Sequence, residues 1–153
     1  MAHGVRSADL VGRAVECREI DALIASARAG RGRTLLFRGE AGIGKTALLG
    51  YAARRATGMQ VLAARGIEAE SEIPFSGLFE LLQPLLGRVA DLPARQAEAL
   101  QGALALGPPT GADPFAVAAA TLGLLAAAGA DGPILVVVDD LQWLDAASFE
   151  AIL

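Results

Sequence analysis

The sequence predicts an α/β protein: a parallel sheet with helices on both faces, three layers in all. Three observations lead there. Short runs at 34–37, 60–65 and 134–138 read as strands and alternate with stretches of helical spacing, the pattern of strands joined by crossover helices. A glycine-rich octet, Gly39-Glu40-Ala41-Gly42-Ile43-Gly44-Lys45-Thr46, stands between the first run and a helix. The last run ends in an acid pair, Asp139-Asp140.

The elements follow in order. Residues Glu16 to Ala29 place Ile20, Leu23, Ile24 and Ala27 on one helical face, and Gly30 can end the helix. Thr34 to Phe37 reads as a short apolar strand. Lys45 to Ala56 is a helix with Gly58 just beyond it, and Gln60 to Arg65 a second strand. Gly66 to Ile73 is a polar loop with glutamates at 68, 70 and 72, which face water rather than bind metal because no histidine or cysteine accompanies them. Phe75 to Leu86 is helical until Pro84 kinks or ends it. Pro93 to Leu106 is a helix with proline in its first turn. Residues 107–112 are a break. Asp113-Pro114 opens the next helix, with Asp as cap and Pro in the first helical position, and it runs to about Ala128. Asp131-Gly132-Pro133 is a turn. Ile134 to Val138 is β-branched and predicts a strand buried on both faces. Asp145 caps a last helix from Ala146, and Trp143 is read as packing rather than base stacking.

Composition narrows the function. With 54% hydrophobic and 20% charged residues, the 153-residue chain can bury a core, and its length suits one domain. A net charge of −4 argues against nucleic-acid binding through this segment. Cys17, the only cysteine, cannot form an internal disulfide, which fits a reducing compartment. Met1 to Asp9 has no apolar run of a signal peptide and reads as a disordered tail. The apolar stretches Phe115 to Gly129 and Ile134 to Val138 are shorter than the roughly 20 residues a spanning helix needs. A cytoplasmic location without membrane contact is expected. His3, the sole histidine, lies in the tail, so no Ser/His/Asp or Cys/His site is possible.

The octet fits G-x-x-x-x-G-K-[ST]. Its glycines let backbone N–H groups curl toward one point, and the helix that follows adds its positive end there. Among 13 Lys+Arg residues only Lys45 is lysine, a compact ammonium where a guanidinium fork would be too broad. Lys45 would reach the outer phosphates of a triphosphate, and the Thr46 hydroxyl would ligate Mg²⁺. An apolar strand ending in Asp139 puts a carboxylate at the carboxyl edge of the sheet, where Asp139 would hold Mg²⁺ and Asp140 would orient or deprotonate water.

Leu10-Val11-Gly12-Arg13 followed by Glu16, then the octet, then Asp139-Asp140-Leu141-Gln142-Trp143-Leu144-Asp145 together resemble the ATPase domain of large bacterial LuxR-type transcriptional regulators, which are AAA/STAND-like P-loop NTPases. The resemblance covers nearly the whole chain. It implies ATP and Mg²⁺ as ligands, and no Asn-Lys-x-Asp guanine-reading motif is present. It places Val11, Gly12 and Arg13 near the adenine, and Gly39, Glu40, Ala41, Gly42, Ile43, Gly44, Lys45, Thr46 and Ala47 around the phosphates. It gives Thr46 and Asp139 to the metal, and Lys45 and Asp140 to catalysis.

The resemblance also implies an N-terminal portion: a tail over 1–9 and an ATPase domain over 10–153 truncated after the acid strand. Such proteins continue into a sensor strand, a fifth strand, a lid, helical repeats and a DNA-binding helix-turn-helix. The sensor strand lies between the strands at 34–37 and 134–138, so the isolated segment is expected to be marginally stable or aggregation-prone, and not catalytically competent. A monomeric, cooperative thermal transition would contradict that. The implied protein is a slow ATPase switch in a signal-responsive regulator. It meets DNA only through its missing C-terminal domain, responds to an unknown effector, and is able to form a homo-oligomer in its full-length form. Two alternatives stand beside it: an Orc-like or AAA ATPase made for turnover, and a nucleotide-binding interaction scaffold without turnover.

Overall fold

The computed structural model describes residues 10–107 and 113–152. The predicted tail over 1–9 with His3, residues 108–112 of the predicted break, and Leu153 lie outside the described residues. The described residues up to Val61, with Pro133–Val137, form one compact unit; Leu62 to Gly132, with those from Val138 onward, form another.

The first unit is built on two helices, α1 (Ala14–Arg28) and α2 (Lys45–Arg55). Ile20 and Ile24 of α1 and Leu48 and Ala52 of α2 sit four residues apart on facing stripes, and all four are buried in one cluster with Ala56 and Leu135. Each of the buried isoleucine and leucine side chains contributes roughly 1.5–3 kcal/mol on burial. Polar ties fix the pair further. The Tyr51 hydroxyl and Arg55 Nε both donate to the Asp21 carboxylate, at 3.2 and 2.8 Å, and Arg28 Nη2 donates to the carbonyls of Arg55 (3.2 Å), the last residue of α2, and of Thr57 (2.8 Å), just past it. Arg28 thus satisfies one carbonyl that the end of α2 leaves without a helical partner. The helices stop at left-handed glycines, Gly30 (φ 72°) and Gly58 (φ 76°), as expected.

The predicted strand over Thr34 to Phe37 is not formed. The segment does keep the burial alternation of extended chain: Leu35 and Phe37 pack against the cluster while Leu36 is 55% exposed. A strand also needs a hydrogen-bonded neighbour, and none joins it among the described residues. Among the described residues the sheet has two strands, β1 (Gln60–Arg65) and β2 (Ile134–Asp139). Gln60 N–H donates to Pro133 O and Gly66 N–H to Asp139 O, with the same residue offset at both ends, so the pairing is parallel as predicted. The expectation that β2 is buried on both faces is corrected: Leu135 is buried, but Val136 is 39% exposed. Burial on both faces needs a layer on each side of a strand, and Val136 has none over it among the described residues.

The second unit is helical: α3 (Ser76–Leu82), α4 (Ala94–Ala103), α5 (Pro114–Gly129) and α6 (Ala146–Ile152). Leu78, Leu81, Leu82, Leu85, Leu100, Val117 and Leu124 fill its core. The single helix predicted to reach Leu86 ends instead at Leu82, and Gln83–Asp91 continues as tighter 3₁₀ turns. Pro84, without an N–H, cannot extend the α ladder. The loop at 66–73 carries one 3₁₀ turn, Glu68–Glu70. Asp113 caps α5 as expected, accepting from Phe115 N–H at 3.0 Å. No described helix is long and apolar enough to cross a membrane.

Candidate functional site

The octet occupies the turn before α2. Gly42 (φ 78°) and Gly44 (φ 94°) are left-handed and flank Ile43, an alternation that only glycines adopt without strain and that forms anion-binding concavities. At Gly39 a Cβ would press on Ile43 Cγ2 at 3.0 Å, a tight approach that the Ile43 side chain would have to relieve. Lys45 opens α2, and its Nζ donates to the carbonyls of Gly39 and Glu40, both at 2.9 Å. The ammonium therefore hangs over its own loop. Thr46 is exposed on the first turn of α2, followed by half-buried Ala47. An eleven-residue helix directs its positive end at this turn. The arrangement fits a polyphosphate: a glycine concavity, a helix N-terminus, an ammonium and a hydroxyl suited to a hard cation.

Val11, Gly12 and Arg13 precede α1. Gly12 is left-handed (φ 79°), and Val11 is 89% exposed. Arg13 Nη1 donates to Glu16 Oε1 at 2.7 Å, and Nη2 donates to Ile43 O at 2.6 Å. The hydrogen bond from Arg13 holds the Glu16 carboxyl below its ordinary range. The structure thus joins residue 13 to the octet, 30 positions away in sequence.

The acid pair sits at the end of β2. Asp139 Oδ1 accepts from Asp140 N–H at 2.9 Å, and Asp140 is left-handed (φ 49°, ψ 45°). Sequence reasoning missed what surrounds it. Arg65, the last residue of β1, donates from Nη2 and Nε to Asp140 Oδ2 at 3.0 and 3.1 Å, while its own N–H donates to Glu80 Oε2 at 2.8 Å. Next to it, Gly66 presses against the turn: a Cβ there would overlap Asp140 O, Leu144 N and the carbonyl carbon of Trp143. A glycine at the end of a strand pattern was the available signal for such close approach.

Asp145 does more than cap α6. It is 2% exposed and accepts four hydrogen bonds: Ser148 N–H (2.8 Å) on its own helix, and Phe75 N–H (2.8 Å), Gly77 N–H (3.1 Å) and Ser76 Oγ–H (3.2 Å) at the start of α3. Ser148 Oγ accepts the next amide, Leu78 N–H, at 2.7 Å. Burial pushes the carboxyl up, but the bonds from Ser148, Gly77 and Phe75 outweigh it and leave the group below its ordinary value. Trp143 lies in a 3₁₀ turn and is 39% exposed.

No curated protein and no solved structure matches the chain. A family model described as AAA ATPase domain matches residues 9–153, spanning the octet and the acid pair, and domains of this kind generally bind ATP with Mg²⁺. The helices and the small parallel sheet are compatible with an α/β P-loop fold, and the chain belongs to the AAA ATPase domain family.

Proposed function

We propose that this chain is the ATP·Mg²⁺-binding switch of a signal-responsive LuxR-type transcriptional regulator. One observation carries the nucleotide part: a left-handed glycine pair and the only lysine meet at the start of α2 in the order G-x-x-x-x-G-K-T. The regulator part is supported by the flanking Val11-Gly12-Arg13 and Asp139-Asp140-Leu141-Gln142-Trp143-Leu144-Asp145. On this reading DNA is contacted outside these 153 residues.

The loop amides and Lys45 hold the phosphates, Thr46 and Asp139 hold the cation, and Val11 and Gly12 border the base. Bound Mg²⁺ would supply charge neutralisation on the phosphate oxygens. Asp140 orients water. The guanidinium of Arg65 already engages that carboxylate, which favours slow hydrolysis and hence a switch over an enzyme built for turnover. ATP then biases one conformation of the regulator against another.

The test is Mg²⁺·ATP binding to the full chain, read by titration calorimetry. Lys45→Ala removes one charged hydrogen-bond donor and is expected to weaken binding about 10- to 100-fold, the range of about 1.5–3 kcal/mol for such a bond. Equal affinity in parent and variant overturns the site.

A further inference from the structure

We propose that Arg13 is a positioning residue that sets the shape of the phosphate-binding loop and is not a contact for the base. The proposal rests on the reading that the loop takes a triphosphate.

One peptide plane links Arg13 to the loop. Arg13 Nη2 holds the carbonyl oxygen of Ile43 at 2.6 Å. A trans peptide points its C=O and the following N–H in opposite directions. Fixing Ile43 O therefore fixes the Gly44 N–H, at the residue whose φ of 94° completes the turn into α2. Lys45 Nζ does the same at the loop's start, holding Gly39 O and Glu40 O at 2.9 Å and so orienting the N–H groups of Glu40 and Ala41. Each end of the loop has its own cation on its carbonyls.

Arg13 is itself held. Its backbone is the N-cap of α1, with its N–H on Leu10 O (3.2 Å) and its carbonyl accepting from Cys17 N–H (3.0 Å). Glu16, one turn along, pins Nη1 at 2.7 Å. A guanidinium presents two donors in one plane and can serve a carboxylate and a carbonyl together. A lysine at 13 would keep the charge and lose the fork.

The experiment measures dissociation constants of Mg²⁺·ATP and of inorganic tripolyphosphate for the full chain and for Arg13→Gln, Arg13→Lys and Glu16→Gln, with the ¹⁵N shift of Gly44 recorded in each. Tripolyphosphate has no base. The expected result is that Arg13→Gln and Arg13→Lys weaken both ligands by the same factor, about tenfold, the scale of one lost hydrogen bond to a charged group. The Gly44 amide shift should move in both variants, and Glu16→Gln should lose less in the same direction. A loss confined to ATP makes Arg13 a base contact and overturns the proposal, as does unchanged affinity for both ligands. A parent that binds neither ligand sinks the triphosphate reading and this proposal together, whereas a parent that binds both, with indifferent variants, sinks only the proposal.

Discussion

Asp145→Ala is expected to destabilise the helical unit by about 4 kcal/mol, the scale of leaving buried charge-assisted partners unpaired. The carboxylate is 2% exposed, so little water can replace it. Its removal strands the amides of Phe75, Gly77 and Ser148 and the Ser76 hydroxyl at once. Phe75 adds to the cost because its φ of 64° is unfavourable for an aromatic residue and is held in part by that bond. Asp145→Asn keeps one acceptor oxygen and should lose roughly half as much. The pH dependence has a definite sign. The folded carboxyl titrates below its ordinary value of 3.8, so its stabilisation is present above that value and is lost as pH falls through the folded pKa. In urea titrations the gap between parent and Asp145→Asn should therefore narrow below about pH 3.8. A gap that is constant down to acid pH, or a loss under about 1 kcal/mol for Asp145→Ala at neutral pH, would refute this account.

Gly66→Ala is expected to cost about 3 kcal/mol, the upper range for overpacking. The three atoms its methyl would meet are all backbone, in the turn from Asp140 to Leu144, so no side chain can swing away. The strand-end bond from Gly66 N–H to Asp139 O holds the two segments at that spacing. Gly30→Ala is the control. It meets nothing within 4 Å and bears only the strain of a left-handed φ, about 1 kcal/mol. Chemical denaturation of both variants should rank 66 well above 30, and the reverse order would show that the turn yields easily.

What the sequence revealed and what it hid divide by distance along the chain. The octet, the Asp113-Pro114 start of α5 and the Asp145 cap of α6 were readable because each acts on amides within a few residues of itself. The bond from Asp145 to Phe75 spans 70 positions and the pair Arg65–Asp140 spans 75, and no local pattern announces either. Thr34 to Phe37 shows the opposite failure. Its composition and burial alternation are those of a strand, yet strand formation is a property of a pair, and composition cannot supply the partner.

The shared carboxylate also dictates an order of events. The helix α3 has seven residues, well short of the roughly 12–15 at which an isolated helix begins to hold in water. Its first amides are capped by Asp145 and Ser148, 70 residues away along the chain. It cannot nucleate alone, and the entropy of closing that long loop falls on the step that forms it. The helix α3 should therefore appear late during folding, once the turn that carries Asp145 is in place.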